Sequence, residues 1–121
     1  LKEKKIQVSL FIEPDLKTVL LAKKLGSNNI ELHTGKYCRF FRTRNSSIIK
    51  KEFLKIKKSA ILGKSLNLGV HAGHGLNYQT SEKISLINEI EELNIGHFFI
   101  SESIFFGIAN VLKKFNKILK R

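Results

Sequence analysis

The sequence holds a single cysteine, Cys38, and no apolar run near the roughly 18 residues that a membrane-spanning helix needs. One thiol cannot close an internal disulfide, so a reducing compartment is compatible with the chain. The lysine-rich opening residues lack the apolar core of a signal peptide, and the cytoplasm is the expected address. Acidic residues are scarce as well: 10 Asp and Glu stand against 22 Lys and Arg, for a net charge of +12. What remains, 42% apolar and 26% charged over 121 residues, is the composition of a folded domain and not of a disordered tail.

A charge of +12 invites a polyanion, because lysine and arginine release counterions from nucleic acid. The distribution argues otherwise. Lysines recur over Lys17–Lys24, Lys50–Lys58 and Lys113–Lys120, as polar positions of separate amphipathic segments. Several solvated helix faces do not make one groove, so nucleic acid is not an expected partner.

Ile6–Ile12 (IQVSLFI) is a short apolar run rich in β-formers that ends at Glu13 and Pro14, as a buried strand before a helix does. Leu16, Val19, Leu20 and Ala22 then keep helical spacing, and Gly26 stands where a C-terminal cap belongs. The pattern repeats with a strand near Ile30–His33, a basic loop through Arg44, and a helix from about Ser46 carrying Ile49, Phe53, Ile56 and Ala60. A third strand is expected near Asn67–His71, then a Gly- and His-rich loop and a short helix capped by Thr80 or Ser81. Glu92–Ile95 and Phe98–Ser101 both suit a fourth strand. The first is preferred, because a helical stripe of Ile104, Ile108, Val111, Phe115 and Ile118 extends back to Ile100, predicting one long last helix.

Four β-to-α units in this length imply parallel strands joined by helical crossovers, with both sheet faces covered. A closed (β/α)8 barrel takes about 250 residues, and four parallel strands alone leave two open edges. Leu1 is also not a start methionine. The expectation is an α/β chain whose residues 1–121 form one partial domain, half of a TIM barrel cut from a longer chain. A flavodoxin-like open sheet is the alternative.

Ligands bind at the C-terminal ends of strands in barrels and open sheets alike. Glu31 lies inside a strand on the same face as His33, where a carboxylate without a partner or a function would be costly; a structural ion pair is the competing reading. In His71-Ala72-Gly73-His74-Gly75-Leu76-Asn77-Tyr78, glycines flank a histidine and let a ligand approach the backbone. Histidine suits proton transfer near neutral pH, although a merely hydrogen-bonded loop histidine has the same signature. Gly96-His97, between the last strand and its helix, has the form of a barrel phosphate site or of a plain tight turn. Gly35 to Arg42 interleaves bases with aromatics, as single-stranded nucleic-acid binders do, and an exposed basic loop over the barrel mouth is preferred. Those bases would favour a thiolate at Cys38, yet with no base or second cysteine nearby an inert thiol is expected.

Taken in order, Ile6–Ile12, Ile30–Gly35, Ala72–Tyr78 and Glu92–His97 resemble the pyridoxine 5′-phosphate synthase family, matching strands five to eight of its barrel. The resemblance runs from about Ile6 to the end. It implies condensation of 1-deoxy-D-xylulose 5-phosphate with 3-amino-2-oxopropyl phosphate to pyridoxine 5′-phosphate, with release of phosphate and water and without metal or organic cofactor. It assigns the late proton donor to His74, the transition-state-stabilising carboxylate to Glu31, and binding of the amino-ketone phosphate to Gly75, Gly96 and His97. It also implies phosphorylated small molecules, the N-terminal half of the barrel and further copies in a homo-oligomer as partners. His71 departs from the family's usual asparagine, and Ser101-Glu102-Ser103 from a small residue followed by arginine. The remaining bases and most sugar-phosphate contacts belong to strands one to four, so activity is not expected from these residues alone. Two competitors are a metal-dependent barrel hydrolase using His33, His71, His74 and His97, and a basic nucleic-acid module centred on Lys36 to Arg44.

Overall fold

The computed structural model describes residues 4–119, which alternate strands and helices from β1 (Ser9–Ile12) to α6 (Ile108–Ile118). Between them lie α1 (Leu16–Lys24), β2 (Asn29–His33), α2 (Gly35–Arg42), α3 (Ser46–Ser65), β3 (Gly69–Gly73), α4 (Tyr78–Ser85), β4 (Glu92–Asn94) and α5 (His97–Phe106). The four strands are parallel in the order β1-β2-β3-β4. That order never reverses, whereas a flavodoxin-like sheet reverses at its switch point, and the open-sheet alternative falls with it.

Register divides the sheet into two unlike faces. Leu10, Ile30 and Val70 stand side by side, as do Ile12, Leu32, Ala72 and Leu93. These apolar rows pack against Val19 and Ala22 of α1, Ile56 and Ala60 of α3, and Ile84 of α4. Along the other face run Phe11, Glu31, His71 and Glu92, followed by His33, Gly73 and Asn94. Phe11 and Glu92 are exposed, and Glu31, His33, His71 and Asn94 are half-buried. The expectation that both faces are covered is therefore wrong for these residues: helices cover the apolar face, and the polar face is open.

Element boundaries moved for local reasons. The first strand begins at Ser9 instead of Ile6: its ladder with β2 starts opposite Asn29, and just before it Val8 is held by Asn28, whose Oδ1 accepts from the Val8 N–H while the Val8 carbonyl accepts from the Asn28 and Asn29 N–H groups. β3 starts at Gly69, since Asn67, with φ 56°, closes α3 by donating its N–H to the Lys64 carbonyl. The α4 cap is Asn77. Its Oδ1 accepts from the Thr80 N–H at 2.9 Å while Thr80 Oγ1 accepts from the Asn77 N–H at 2.8 Å, a reciprocal box that starts the helix earlier than expected.

The basic loop expected through Arg44 is largely the helix α2, which Tyr37 and Cys38 anchor by burial, with Phe41 packed beside them. The single long helix expected at the end is two helices. Gly107, at φ 78° and ψ 141°, takes a backbone conformation essentially reserved for glycine, and the chain turns there. Val111 and Phe115 are buried, whereas Ile104 and Ile108 of the supposed common stripe are 77% and 62% exposed. Phe115 docks α6 through Tyr78, Phe98 and Phe99, with ring centroids 4.7 to 6.2 Å away. No helix among the described residues is long and apolar enough to cross a membrane.

A buried carboxylate joins α2 to α3. Glu52, 4% exposed, lies 2.9 Å from Lys55 Nζ and 3.4 Å from Lys36 Nζ. Burial pushes its carboxyl up, but the Lys55 hydrogen bond and the charges of Lys55 and Lys36 outweigh that and hold it below its ordinary value. A carboxyl lowered by folding stabilises the fold above its unfolded pKa, and that stability is lost as pH falls through the folded value. Glu52→Gln should therefore lower stability at neutral pH by about 1.5–3 kcal/mol, the range for hydrogen bonds to charged groups. In urea titrations the deficit should shrink as pH falls below 4.5.

Candidate active site

Side chains alternate along β2, so the same strand that buries Ile30 and Leu32 turns Glu31 and His33 to the open face. Glu31 Oε2 accepts from Asn94 Nδ2 at 2.7 Å. This partner is a neutral amide on β4, not the cation of a structural ion pair. Gly73 lies between them on β3, and any Cβ there would strike Glu31 Oε1 and sit 3.1 Å from Asn94 Cβ. Only glycine leaves the carboxylate its place.

β3 ends at Gly73, and the chain turns through His74 (φ 76°) and Gly75 (φ 80°). The left-handed region costs a non-glycine residue roughly 1 kcal/mol, so the turn needs support. Thr34 supplies it. Wholly buried, it donates its N–H to the Gly73 carbonyl, and its Oγ1 lies 2.8 Å from the carbonyl oxygens of both Gly73 and His74. His74 itself stays exposed, its ring 4.7 Å from that of His33 at 69°. His33 in turn binds Glu13 through Nδ1 and Oε1 at 2.6 Å. Gly35 makes the histidine pair possible, because a Cβ there would lie 2.7 Å from both rings.

Glu13, Glu31, His33, His74, Gly75 and Asn94 line one open cleft of about 1120 Å³ that takes in the ends of all four strands. Glu31, His74, Gly75, Gly96 and His97, the site residues read from the sequence, all contribute to it. Gly96 precedes α5 without a side-chain cap, so first-turn N–H groups stand at the cleft edge. Lys36, Arg39 and Arg42, spaced by three along α2, add a basic rim. His71 does not line the cleft. It lies 3.8 Å from Glu92 Oε1, along the same sheet face. Ser101-Glu102-Ser103 lies on α5, away from the cleft lining.

The metal-hydrolase reading loses its geometric basis. Among the described residues no three His, Cys, Asp or Glu side chains converge as metal ligands, which leaves the hydrolase without a ligand set. Of the aromatics in the basic segment, Tyr37 is 2% exposed and packs on Phe41 and Phe53, while Phe40 and Phe41 are half-buried. Sequence reasoning missed Glu13, Thr34 and Asn94. Each lies at or just past the C-terminal end of a strand, and that positional rule, applied to every polar residue, would have found them.

The chain matches, over residues 1–121, the family described as pyridoxal phosphate biosynthesis protein PdxJ. It belongs to the PdxJ family. The pyridoxine 5′-phosphate synthase of Pelagibacter ubique (strain HTCC1062) is 45% identical over 119 residues, 98% of this chain and 49% of that protein. That of Ehrlichia canis (strain Jake) is 45% identical over 114 residues, 94% of this chain and 45% of the relative. That of Sulfurihydrogenibium sp. (strain YO3AOP1) is 41% identical over 119 residues, 98% and 47% respectively. The chain thus spans about half the length of the curated relatives it matches.

Cys38 lines the cleft floor beneath Gly75, yet it is 3% exposed and its Sγ donates to Thr34 Oγ1 at 3.8 Å. Burial pushes the thiol up, against smaller lowering contributions from Thr80, Thr34 and Arg42. It should react slowly with alkylating reagents at mildly alkaline pH and fast in denaturant, as mass spectrometry of timed samples would show; equal rates would mark a reactive thiol.

Proposed function

We propose that this chain supplies strands five to eight, the C-terminal half, of a (β/α)8 barrel, and that the completed barrel is a pyridoxine 5′-phosphate synthase. The observation that carries this is the polar sheet face: Glu31 lies within β2, and His33 and Asn94 stand at the strands' C-terminal ends, on the side helices leave open. In a closed barrel that side faces the interior, and barrel active sites gather at the C-terminal ends of the strands. The unreversed strand order and the half-length match to the synthases support the same reading.

In the proposed reaction, 1-deoxy-D-xylulose 5-phosphate condenses with 3-amino-2-oxopropyl phosphate, and water and phosphate leave. Glu31, held by Asn94, stabilises positive charge developing at the condensing nitrogen. His74, exposed at its clamped turn, delivers a late proton. Gly75, Gly96, His97 and the α5 N-terminus receive the amino-ketone phosphate, since helix N-termini favour anions. Lys36, Arg39 and Arg42 draw both phosphate esters toward the cleft.

Co-expression with the N-terminal half of the Pelagibacter ubique relative should give a soluble complex that forms pyridoxine 5′-phosphate, with neither half active alone. A monodisperse monomer of this chain that unfolds cooperatively and ignores that half would sink the half-barrel reading. In the complex, His74→Ala should lower turnover about 10²- to 10⁴-fold, the usual worth of general acid catalysis, with phosphate-ligand binding largely kept. Glu31→Gln keeps the shape and removes the charge. Turnover at the wild-type rate in either variant would take that residue out of its proposed role.

A further inference from the structure

Glu13, His33 and His74 come from the ends of three successive strands, and neither composition nor spacing requires them to meet. They do meet: Glu13 Oε1 lies 2.6 Å from His33 Nδ1, and the His33 ring stands edge-on to His74 at 4.7 Å. Phe11, on β1, closes the group at 5.1 Å from His33 and 6.4 Å from His74. We infer that Glu13 and His33 are positioning residues for His74, Glu13 fixing the tautomer and plane of His33 and His33 seating the His74 ring in the cleft. The inference rests on the proposed role of His74 as proton donor.

The chemistry of the first contact is one-sided. An ionised carboxylate only accepts, so at 2.6 Å the proton of a neutral His33 lies on Nδ1 and its lone pair on Nε2. With its plane also set, His33 is a fixed wall. Thr34 clamps the His74 backbone through two carbonyls but leaves the side-chain torsions of an exposed imidazole free. His33 and Phe11 supply the ring contacts that limit them, and Gly35 leaves the space for both histidines. A donor must hold its proton within about 3 Å of the acceptor, and misplacement by about 1 Å is costly.

A purely structural pair predicts something else. With side-chain exposures of 65% for Glu13 and 25% for His33, the contact is too solvated to matter much to folding. Stability and catalysis therefore separate the two roles. Long-range nitrogen–proton NMR spectra of the complex with the N-terminal half, with only this chain nitrogen-15 labelled and at a pH where imidazoles are neutral, should show His33 as the Nδ1–H tautomer. Glu13→Gln keeps the hydrogen bond at the same reach, but its amide can accept from Nδ1–H or donate to a bare Nδ1, so it should hold the ring plane and relax the tautomer. Glu13→Ala should release both and move the His74 ring resonances while those of His97 stay. In the enzyme reconstituted with the N-terminal half, Glu13→Ala should lower kcat about 10- to 100-fold, with KM and unfolding midpoint unchanged and Glu13→Gln restoring most of the rate. Mixed His33 tautomers in the wild type, unmoved His74 resonances in Glu13→Ala, or a Gln variant as slow as Ala would overturn the inference. A slow His74→Ala alongside a wild-type kcat in Glu13→Ala would overturn it while sparing the proton-donor reading. Full turnover in His74→Ala would overturn both.

Discussion

Pairing of β2 with β3 is the constraint on which the site depends. Ile30 beside Val70 and Leu32 beside Ala72 are all wholly buried, and α3 presses against them so closely that a Cβ on Gly63 would come 2.8 Å from Val70 and 2.9 Å from Ile30. A slip of one residue would send this apolar set into water and Glu31 and His33 into the core. Hydrophobic burial therefore fixes the register, and the register places Glu31 diagonally across Gly73 from Asn94 and His33 beside the turn that carries His74. The polar groups do not hold the sheet together. Their positions are set by groups on the other face.

The site divides support from exposure. Thr34 and Cys38 lie beneath it, buried and mutually hydrogen-bonded, and the glycines at 35 and 73 are there because neighbouring side chains fill the space a Cβ would need. Above them His74, Gly75, Gly96 and His97 reach solvent. A left-handed backbone at His74 is tolerable because the buried hydroxyl of Thr34 holds the carbonyls on either side of that bend. Precision thus comes from packed elements, and the reacting groups stay accessible.

Charge follows the same division. Most lysines lie on outward helix faces, as solvated positions that make the net +12 a property of the surface. Lys36 is different, because it lines the cleft and also reaches the buried Glu52, which couples the basic rim of α2 to the stability of α3. The Ser101-Glu102-Ser103 departure lies outside the cleft on α5, a helix with no buried residues, and His71 faces Glu92 instead of a ligand space. His71 is the register neighbour of Glu31 on that face, and neither departure lines the cleft.

Much of this was readable along the chain. Short apolar runs rich in β-formers and helical spacings located four strands and most helices, because both report burial that neighbouring residues share. The strand-end rule selected Glu31, His74, Gly75, Gly96 and His97, and the order of the motifs gave the family. Three things were not readable. Helix α2 is only eight residues long, and its basic, aromatic composition hides the stripe of Tyr37, Cys38 and Phe41 until α3 and Phe53 are packed against it. The break at Gly107 interrupts an unbroken helical period, because only docking of Phe115 on Tyr78 decides which of those apolar residues are inside. The meeting of Glu13 with His33 and of Asn94 with Glu31 spans 20 and 63 residues. Local pattern carries which face a side chain takes; which distant side chain it meets there depends on strand order and register, and those exist only once the sheet has formed.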